Sequence, residues 1–326
     1  MRAAFVSVVP SPYQRDLFHA LAQRPEVDLS VYYLEAAAPD SPWPQKALAA
    51  YEKILHGFWF SMGSARCHVN WPLPRLRDFD IVVMNTLMSV TGQWLMRTTL
   101  RGRRWLFWGE RLGHGGALHQ RLAAPLHRAA GIAAIGTFAE EDYRRRFPEP
   151  LHFRIPYFCD LAPFLAAPRR MRNDGHVVFL FCGQMIARKG VDLLLEAFQR
   201  LGSGARLLLV GREAELPRFF SRADVFVLPS RYDGWGVVVN QALGAGLPII
   251  CSDTVGAGRD LVEEEVNGLH FPTGDSTALA EKMQRFLVHP TLCDSWGQVS
   301  RRRASHWTPE AGAAKWVETF QTLLPT

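Results

Sequence analysis

The stretch from Val177 to Leu201, VVFLFCGQMIARKGVDLLLEAFQRL, decides the fold class. It opens with six apolar residues, the length and composition of a buried strand. After Gly190, apolar residues recur at the spacing of one buried helix face; they are Val191, Leu194, Leu195, Phe198 and Leu201. The stretch therefore predicts a strand, the loop Gly183–Gly190 and a helix.

The rest of the chain repeats this pattern in two series. Short apolar runs that alternate with segments of helical period are typical of parallel sheets covered by helices on both faces. In the first series we predict strands at Ala4–Val9, Asp28–Tyr33, Ile81–Met84, Arg104–Trp108 and Gly131–Ile135, and helices at Arg15–Ala22 and Glu140–Phe147. In the second we predict strands at Val177–Cys182, Arg206–Val210, Val225–Leu228, Pro248–Cys251 and Gly268–Phe271, and helices at Leu216–Arg222 and Val237–Leu243. The predicted fold class is α/β, with two Rossmann-like, doubly wound parallel-sheet domains.

The boundary between the two domains is predicted from a change in composition. The segment from Pro163 to Asp174 contains two prolines and several basic residues, and it runs into a turn-forming Asn-Asp-Gly sequence. We place the first domain at residues 1–165 and the second at residues 166–306. Residues 307–326 begin with Thr308 as an N-cap and Pro309 in the first turn. We expect this last segment to be a helix that packs back on the first domain.

Composition limits the class of protein. Of the 326 residues, 48% are hydrophobic and 21% are charged, which suits two domains with large cores and excludes a disordered chain. The formal net charge of +6 comes mainly from arginine clusters, such as Arg101, Arg103 and Arg104, or Arg144, Arg145 and Arg146. Such clusters suit phosphates or anionic lipid, and they also occur on solvated helix faces. Scattered arginines do not indicate a nucleic-acid-binding protein.

Cysteine use and hydropathy bear on the compartment. The five cysteines form no CxxC pair, and Cys182 and Cys251 lie inside apolar runs, as expected of reduced thiols in a cytoplasmic protein. Ala3–Val9 is short for a signal-peptide core and is predicted to be the first strand. No apolar stretch approaches the roughly 20 residues needed to span a bilayer. We therefore expect a cytoplasmic protein whose membrane contact is weak and peripheral, at the inner face, through the arginine-rich segment Arg97–Trp105.

Two loops of the second series have the chemistry of an anion site. Gly183–Gly190 joins a strand to a helix, and Lys189 adds a positive charge where the helix dipole and free N–H groups already favour an anion. Pro229–Gly236 follows a second strand, and Gly236 allows a ligand to approach the start of the next helix. Both loops lie at the carboxyl edge of a parallel sheet, where ligands bind. Each loop alone would suit a structural turn, but their occurrence at one edge predicts a site.

These residues resemble glycosyltransferase family 4, the retaining nucleotide-sugar transferases of the GT-B fold. The resemblance is strong from Val177 to about Trp316 and weaker before it. It is carried by Lys189-Gly190, by Ala223–Ser230, by Asp233–Gln241, by Gly246–Ile250 and by Asn267-Gly268-Leu269. It implies two Rossmann-like domains facing a cleft, and a nucleotide-sugar donor, UDP- or GDP-linked, without a metal or other cofactor.

Site residues follow from the resemblance position by position. It implies that Lys189 contacts the donor pyrophosphate, that Asp233 contacts the hydroxyls of the transferred sugar and that Gln241 faces the ribose. The amides of Gly236 and Val237 would cap the distal phosphate. The donor-binding set implied in this way is Gly183, Gln184, Lys189, Ser230, Gly236, Val237 and Gln241.

The sequence also departs from the family pattern in this region. The family's arginine is Gln184 here, its first glutamate is the shorter Asp233, and its second glutamate is Gln241. Because an amide still hydrogen-bonds phosphate and ribose, we interpret these changes as tuning of the site rather than loss of activity. A glycine pair of the first domain is also missing, since Pro10-Ser11-Pro12-Tyr13 stands in its place.

The family also has a polar group of the first domain near the sugar, usually a histidine after a middle strand. The corresponding stretch here is Trp105–His114, in which Glu110 lies nearest to that place and His114 is the second candidate. The alternative for Glu110 is a surface carboxylate paired with Arg111. The catalytic set implied by the resemblance is thus Asp233, Lys189, Glu110 and His114.

Two other motifs are interpreted as decoys. Asp78-Phe79-Asp80 has the form of a metal-binding aspartate pair, but Asp80 precedes the predicted strand Ile81–Met84 instead of following it. We therefore predict no metal site there. Gly113–Gly116 lacks the third glycine of a dinucleotide fingerprint, because Leu118 stands at that position.

The second sheet is predicted to be smaller than is usual in the family. After Arg206–Val210 the family inserts a helix and a further strand, whereas here thirteen residues separate Gly211 from Val225. One crossover helix fits that length. The missing strand would be an edge strand, so its loss removes no central pairing.

Taken together, the resemblance implies a retaining glycosyltransferase that acts on a glycan, lipid-linked or small-molecule acceptor, in bacterial-type polysaccharide or glycoconjugate synthesis. Two alternatives stay open. One is a sugar-nucleotide epimerase or phosphorylase of the same fold, and the other is a nucleotide-sugar-binding subunit without turnover, which Gln184 and Gln241 favour.

Overall fold

The computed structural model describes residues 1–37, 47–62, 65–113, 116–169, 171, 174–211 and 215–324. The chain forms two compact units. Unit 1 contains Met1–Tyr157 together with Pro309–Thr326, and unit 2 contains Phe158–Thr308. Unit 1 thus ends at Tyr157, before the boundary predicted at residue 165.

Unit 1 is built on a parallel sheet of seven strands. The seven strands of this sheet are β1 (Arg2–Ser7), β2 (Asp28–Tyr33), β3 (Glu52–Ile54), β6 (Ile81–Met84), β7 (Trp105–Gly109), β8 (Gly131–Ala134) and β9 (Leu151–Arg154). Two further strands, β4 (Gly57–Met62) and β5 (Ala65–Asn70), form a separate antiparallel hairpin. The order in the large sheet is β3-β2-β1-β6-β7-β8-β9. The helices are α1 (Pro12–Ala22), α2 (Val90–Trp94), α3 (Ala117–Ala123) and α4 (Thr137–Arg146).

The five strands predicted for the first series are all present, with ends shifted by at most two residues. They form the centre of the sheet, and all of them except β2, which is buried on one face only, have buried side chains on both faces, which is why the sequence shows them clearly. The strands β3, β4, β5 and β9 were not predicted. The short β3 and the mixed β9 lie at the sheet edges, where burial imposes no apolar run.

The edge strand β3 is fixed by a buried charge. Glu52 accepts hydrogen bonds from Arg15 Nε (2.8 Å), Arg15 Nη2 (2.7 Å), the Tyr33 hydroxyl (2.7 Å) and the Ala49 amide (2.8 Å). Burial opposes ionisation, but these hydrogen bonds outweigh it and lower the pKa of Glu52. One carboxylate therefore joins α1, β2 and β3.

Unit 2 is built on a parallel sheet of five strands in the order β11-β10-β12-β13-β14. The strands are β10 (Val177–Cys182), β11 (Ala205–Val210), β12 (Val225–Leu228), β13 (Ile249–Ser252) and β14 (Gly268–Phe271). The helices are α5 (Ala162–Ala166), α6 (Val191–Gln199), α7 (Leu216–Phe220), α8 (Val237–Gly244), α9 (Gly256–Leu261), α10 (Ser276–Val288) and α11 (Leu292–Ala304). All five predicted strands are present within one residue at each end.

Strand β11 is one of the two edge strands of this sheet, and β14 is the other. Among the described residues, no other strand pairs with the free edge of β11. The connection from Gly211 to Val225 contains α7, so one helix does fit the thirteen residues. The structure thus agrees with the predicted loss of an edge strand.

The last helix, α12 (Pro309–Leu323), belongs to unit 1 and packs against α1. Trp316 lies edge-on to Phe5 of β1 and Trp108 of β7, with ring centroids 5.0 and 5.5 Å apart. Trp316 and Phe320 are fully buried. The end of the chain therefore completes the core around the first strand.

Candidate functional site

The loops after β10 and β12 meet at the switch point of the unit 2 sheet. Strand β10 pairs with β11 on one side and with β12 on the other, through Phe179 opposite Val225 and Leu180 opposite Phe226. The chain leaves β10 for β11 and then crosses to β12, so connections run in opposite directions from this point. Open α/β sheets bind ligands in the crevice that results.

Gly190 brings the two loops into contact. Its φ is +68°, and a Cβ added there would lie 2.0 Å from the Pro229 carbonyl oxygen. No side chain larger than hydrogen fits such an approach, and the left-handed conformation itself favours glycine. The neighbouring Lys189 is thereby held close to the second loop.

The centre of the site is an ion pair between these loops. Lys189 Nζ lies 2.5 Å from Asp233 Oδ2, and the two side chains are only 14% and 10% exposed. The Arg188 guanidinium lies 3.8 Å from the other carboxylate oxygen and is 45% exposed. One carboxylate thus faces two cations, which leaves a surplus positive charge at the crevice.

The backbone around Asp233 is held by the first two residues of α9. The Gly256 amide donates to the Asp233 carbonyl at 3.1 Å, and the Ala257 amide donates to the Trp235 carbonyl at 2.8 Å. Trp235 is fully buried, and its indole N–H donates to Asn240 Oδ1 of α8 at 2.9 Å. Asp233 is therefore held in place by backbone hydrogen bonds and by the buried neighbour Trp235.

The helix α8 begins at this site without a side-chain cap. Gly236, its N-cap residue, has a φ of +92°. The first N–H groups of a helix have no intrahelical partner and carry the positive end of the helix dipole. Val237 and Gln241 are four residues apart, lie on one face of α8 and are both half-buried.

The sequence analysis did not predict a set of contacts next to Lys189, made by Arg231 and here called the Arg231 clamp. Arg231 makes a bidentate pair with Asp192 of α6 at 2.8 and 2.6 Å, and it also donates to the Ala187 carbonyl at 2.7 Å. Its own amide donates to the Arg188 carbonyl at 2.8 Å. The hydrogen bonds from Arg231 lower the pKa of Asp192. No short motif contains this clamp, because its partners are 39 to 44 residues apart.

The remaining predicted donor-site residues differ in exposure. Gly183 and Gln184 directly follow β10 and are half-buried. Ser230 is fully buried, and its hydroxyl has no hydrogen-bond partner among the described residues, whereas its carbonyl accepts from Ser252 Oγ at 2.5 Å. Cys182 directly precedes Gly183 in the chain. Burial raises the pKa of its thiol to about 12, so this group is not a thiolate nucleophile.

In unit 1, Glu110 follows β7 at the carboxyl edge of the sheet and is exposed. The Tyr143 hydroxyl donates to its carbonyl at 2.7 Å. Burial, and then the Glu110 carboxylate with its hydrogen bond, raise the pKa of Tyr157, so this phenol stays protonated and donates to Glu110. His114, the second candidate, lies outside the described residues.

Asp78 and Asp80, the aspartate pair for which no metal site is predicted, lie before β6 and not after it. Asp80 accepts a hydrogen bond from the Arg2 amide at 2.7 Å and immediately precedes β6. In the described part of the chain, no cluster of three His, Cys, Asp or Glu side chains has the spacing of a metal site.

Comparison with known proteins places a family on part of the chain. Residues 206–303, which lie in unit 2, match the family described as "Glycosyl transferases group 1". A relative is the lipopolysaccharide core biosynthesis mannosyltransferase LpsB of Rhizobium meliloti, 27% identical over 134 residues, which are 40% of this chain and 38% of that protein. The chain spans about a third of the length of the curated relatives it matches.

Solved structures match the whole chain. Sucrose-phosphate synthase from Thermosynechococcus elongatus covers 99% of both chains at a TM-score of 0.73 and 20% identity. Anabaena HepE, solved in complex with UDP, covers 99% of this chain and 100% of its own at a TM-score of 0.75 and 14% identity. The fold is therefore GT-B, as the sequence predicts. At these identities the likeness concerns the fold alone.

Proposed function

We propose that this protein is a retaining, metal-independent glycosyltransferase of the family 4 type, which transfers a sugar from a UDP- or GDP-linked donor to a glycan or lipid-linked acceptor. Polysaccharide or glycoconjugate synthesis in the cytoplasm is the proposed setting. The observation that carries the proposal is the buried Lys189–Asp233 pair at the switch point of unit 2. The group 1 match over residues 206–303, which includes Asp233, supports the same class of reaction.

The charges of the site suit a pyrophosphate. Arg231 is neutralised by its bidentate pair with Asp192, whereas Lys189 and Arg188 share the single carboxylate of Asp233. The surplus charge lies at the crevice into which the N-terminus of α8 also opens. An anion with two phosphates would satisfy both cations and would also accept from amides at the start of α8.

The proposed mechanism uses these residues in the following way. Lys189, Arg188 and the α8 amides stabilise the charge that develops on the leaving pyrophosphate, which is the main demand of a dissociative sugar transfer. Asp233, released from Lys189, accepts hydrogen bonds from the sugar hydroxyls, and Gln241 hydrogen-bonds the ribose. Gln184 contributes a neutral hydrogen bond to the phosphates. For unit 1 we propose that Glu110, held by Tyr157, contacts a hydroxyl of the acceptor.

The first experiment measures donor binding by thermal unfolding. A ligand at 100 times its dissociation constant stabilises the folded state by about 2.7 kcal/mol. We expect UDP- or GDP-sugars to give such a shift in the parent, and Lys189→Met to lose it. Lys282→Met is the matched control, because Lys282 is the only other lysine of unit 2 and pairs with Glu264 on the surface. Equal stabilisation of the parent and Lys189→Met would contradict the proposed site.

The same samples separate an enzyme from a binding subunit, the alternative that Gln184 and Gln241 favour. Product formation is followed with the stabilising donor and a panel of glycan and lipid-linked acceptors, with and without a chelator. Transfer that continues in chelator is the expected result. Donor binding without transfer or donor hydrolysis would favour the binding subunit, and donor conversion without acceptor would favour the epimerase.

A further inference from the structure

The hairpin of β4 and β5 in unit 1 exposes an unusual set of side chains. Every residue of β4 is exposed. The exposed fractions are 64% for Phe58, 45% for Trp59, 44% for Phe60 and 45% for Met62. Soluble proteins rarely leave several large apolar side chains together in solvent, so this strand is expected to have a partner.

The structure explains why β4, and not β5, faces solvent. Thr91 of α2 accepts a hydrogen bond from the Asn70 amide at 2.9 Å, and its hydroxyl lies 3.2 Å from the His68 carbonyl. Cys67 and His68 of β5 are buried as well. Strand β5 is thus attached to unit 1, and β4 is carried outward as its edge strand.

Two more tryptophans extend the exposed surface. Trp71 follows β5, is 76% exposed and donates its amide to the His56 carbonyl at 2.9 Å, at the base of the hairpin. Trp94 lies on α2, which packs on β5, and is 58% exposed. We call the large apolar side chains that are exposed on β4 and directly after β5 the aromatic hairpin; they are Phe58, Trp59, Phe60, Met62 and Trp71.

The charge around the aromatic hairpin is positive. Residues 53–77 contain Lys53, Arg66, Arg75 and Arg77 but no aspartate or glutamate. The Arg66 guanidinium lies 3.8 Å from the centre of the Trp59 ring and pairs with Glu35 at 2.9 Å. One carboxylate from outside the segment therefore offsets only part of its charge. In contrast, Trp105 of the predicted contact segment Arg97–Trp105 is buried in β7.

We propose that the aromatic hairpin is a membrane-docking surface whose partner is the headgroup region of an anionic bilayer. Tryptophan and phenylalanine side chains suit this boundary, because an apolar ring can be buried while polar neighbours stay hydrated. Lysine and arginine beside them attract anionic lipid. Among the described residues, β4 pairs only with β5. Its other edge has backbone groups that need water, so the hairpin is expected to enter the headgroup region and not the hydrocarbon core.

A second copy of the chain fits this surface less well. In a two-fold interface the same patch meets itself, so the positive residues of segment 53–77 would face like charges. An anionic lipid surface complements both the apolar side chains of the aromatic hairpin and the positive charge around it.

The test is flotation with vesicles, without donor or acceptor, so that its outcome is independent of the proposed function. The parent is compared with Phe58→Ser/Trp59→Ser/Phe60→Ser and with the control Leu118→Ser/Leu151→Ser/Val288→Ser, whose residues are 56%, 52% and 60% exposed elsewhere. With phosphatidylglycerol in phosphatidylcholine vesicles, we expect the hairpin variant to bind about tenfold less than the parent. The control should stay within about twofold of it. High salt should weaken but not abolish parent binding.

A label reports where contact occurs. All five cysteines are buried, so a polarity-sensitive dye attached to Phe60→Cys should report on this position alone. A blue shift on anionic vesicles, absent for Leu118→Cys, is expected. The proposal is overturned if the parent does not float, or if the hairpin variant floats as well as the parent. It is also overturned if the parent sediments as a dimer that the hairpin variant breaks, because a second copy would then cover the surface.

Discussion

Two buried ion pairs, Arg15–Glu52 in unit 1 and Lys189–Asp233 in unit 2, have the same chemistry and different surroundings. Glu52 is fully enclosed and accepts four hydrogen bonds from three residues. Among the residues that the structure describes, Asp233 accepts one side-chain hydrogen bond, from Lys189, and its other oxygen faces Arg188 at 3.8 Å. The first carboxylate is saturated and the second is not.

The difference separates a structural pair from a binding pair. A saturated carboxylate has no capacity left for a ligand, and removing a partner leaves an uncompensated buried charge. An unsaturated carboxylate beside two cations can exchange its partners when an anion arrives. The pair in unit 1 should therefore govern stability, and the pair in unit 2 should govern activity.

The largest effect is expected from removing the charges of the unit 2 pair. We expect Lys189→Met to lower turnover about a hundredfold, as loss of a preorganised group at a developing charge usually does. Asp233→Asn should be of similar severity, because an amide accepts hydrogen bonds from sugar hydroxyls less strongly than a carboxylate does. Steady-state rates at saturating donor, on protein shown to be folded, are the measurement. Near-parental rates in both variants, with Lys282→Met unchanged as the control, would place the donor site elsewhere.

The corresponding change in unit 1 is Glu52→Gln. We expect it to lower the free energy of unfolding by about 3 kcal/mol, because Arg15 is left without its carboxylate. Turnover per folded molecule should stay close to that of the parent. Because the folded-state pKa of Glu52 lies below its usual value of 4.5, the carboxylate stabilises the fold above that pH and loses this effect as the pH falls further. Denaturant unfolding should thus show a parent–variant difference that shrinks on acidification; a constant difference would contradict the linkage.

The smallest effect is expected from Arg188, the second cation beside Asp233. If Arg188 supplies the positive charge that the family pattern has at position 184, Arg188→Ala should lower turnover about tenfold. The double variant Arg188→Ala/Gln184→Arg should recover most of that loss. Arg218→Ala is the matched control, an exposed arginine of unit 2 that pairs with Glu215. Failure of the second substitution to rescue the first would show that the two positions are not interchangeable.

The sequence predicted the fold well where burial imposes a pattern. Strand β10 is an unbroken apolar run because both of its faces are covered, and β12 and β14 also match their predicted ends. The resemblance identified Lys189 and Asp233, which the structure brings to 2.5 Å although 44 residues separate them. Their contact follows from the pairing of β10 with β12.

Other contacts had no signal in the sequence. The saturation of Glu52 depends on Arg15 and Tyr33, which reach it because β3 pairs with β2 in the sheet. The exposure of Phe58 and Trp59 was equally hidden, since an apolar strand has the same composition whether it is covered or not. Sequence patterns report which side chains are apolar, and only the fold decides which of them remain in water.

The position of α12 has a consequence for synthesis of the chain. Trp316, which packs on Phe5 and Trp108, is translated after every residue of unit 2. Domains usually fold as they leave the ribosome, the N-terminal one first. Here the hydrophobic core of unit 1 is incomplete until α12 emerges, whereas unit 2 has all its residues before then. Of the two units, unit 1 thus begins to be made before unit 2 but finishes folding after it, and a nascent chain stalled before Pro309 should expose the aromatic core around Phe5 to chaperones.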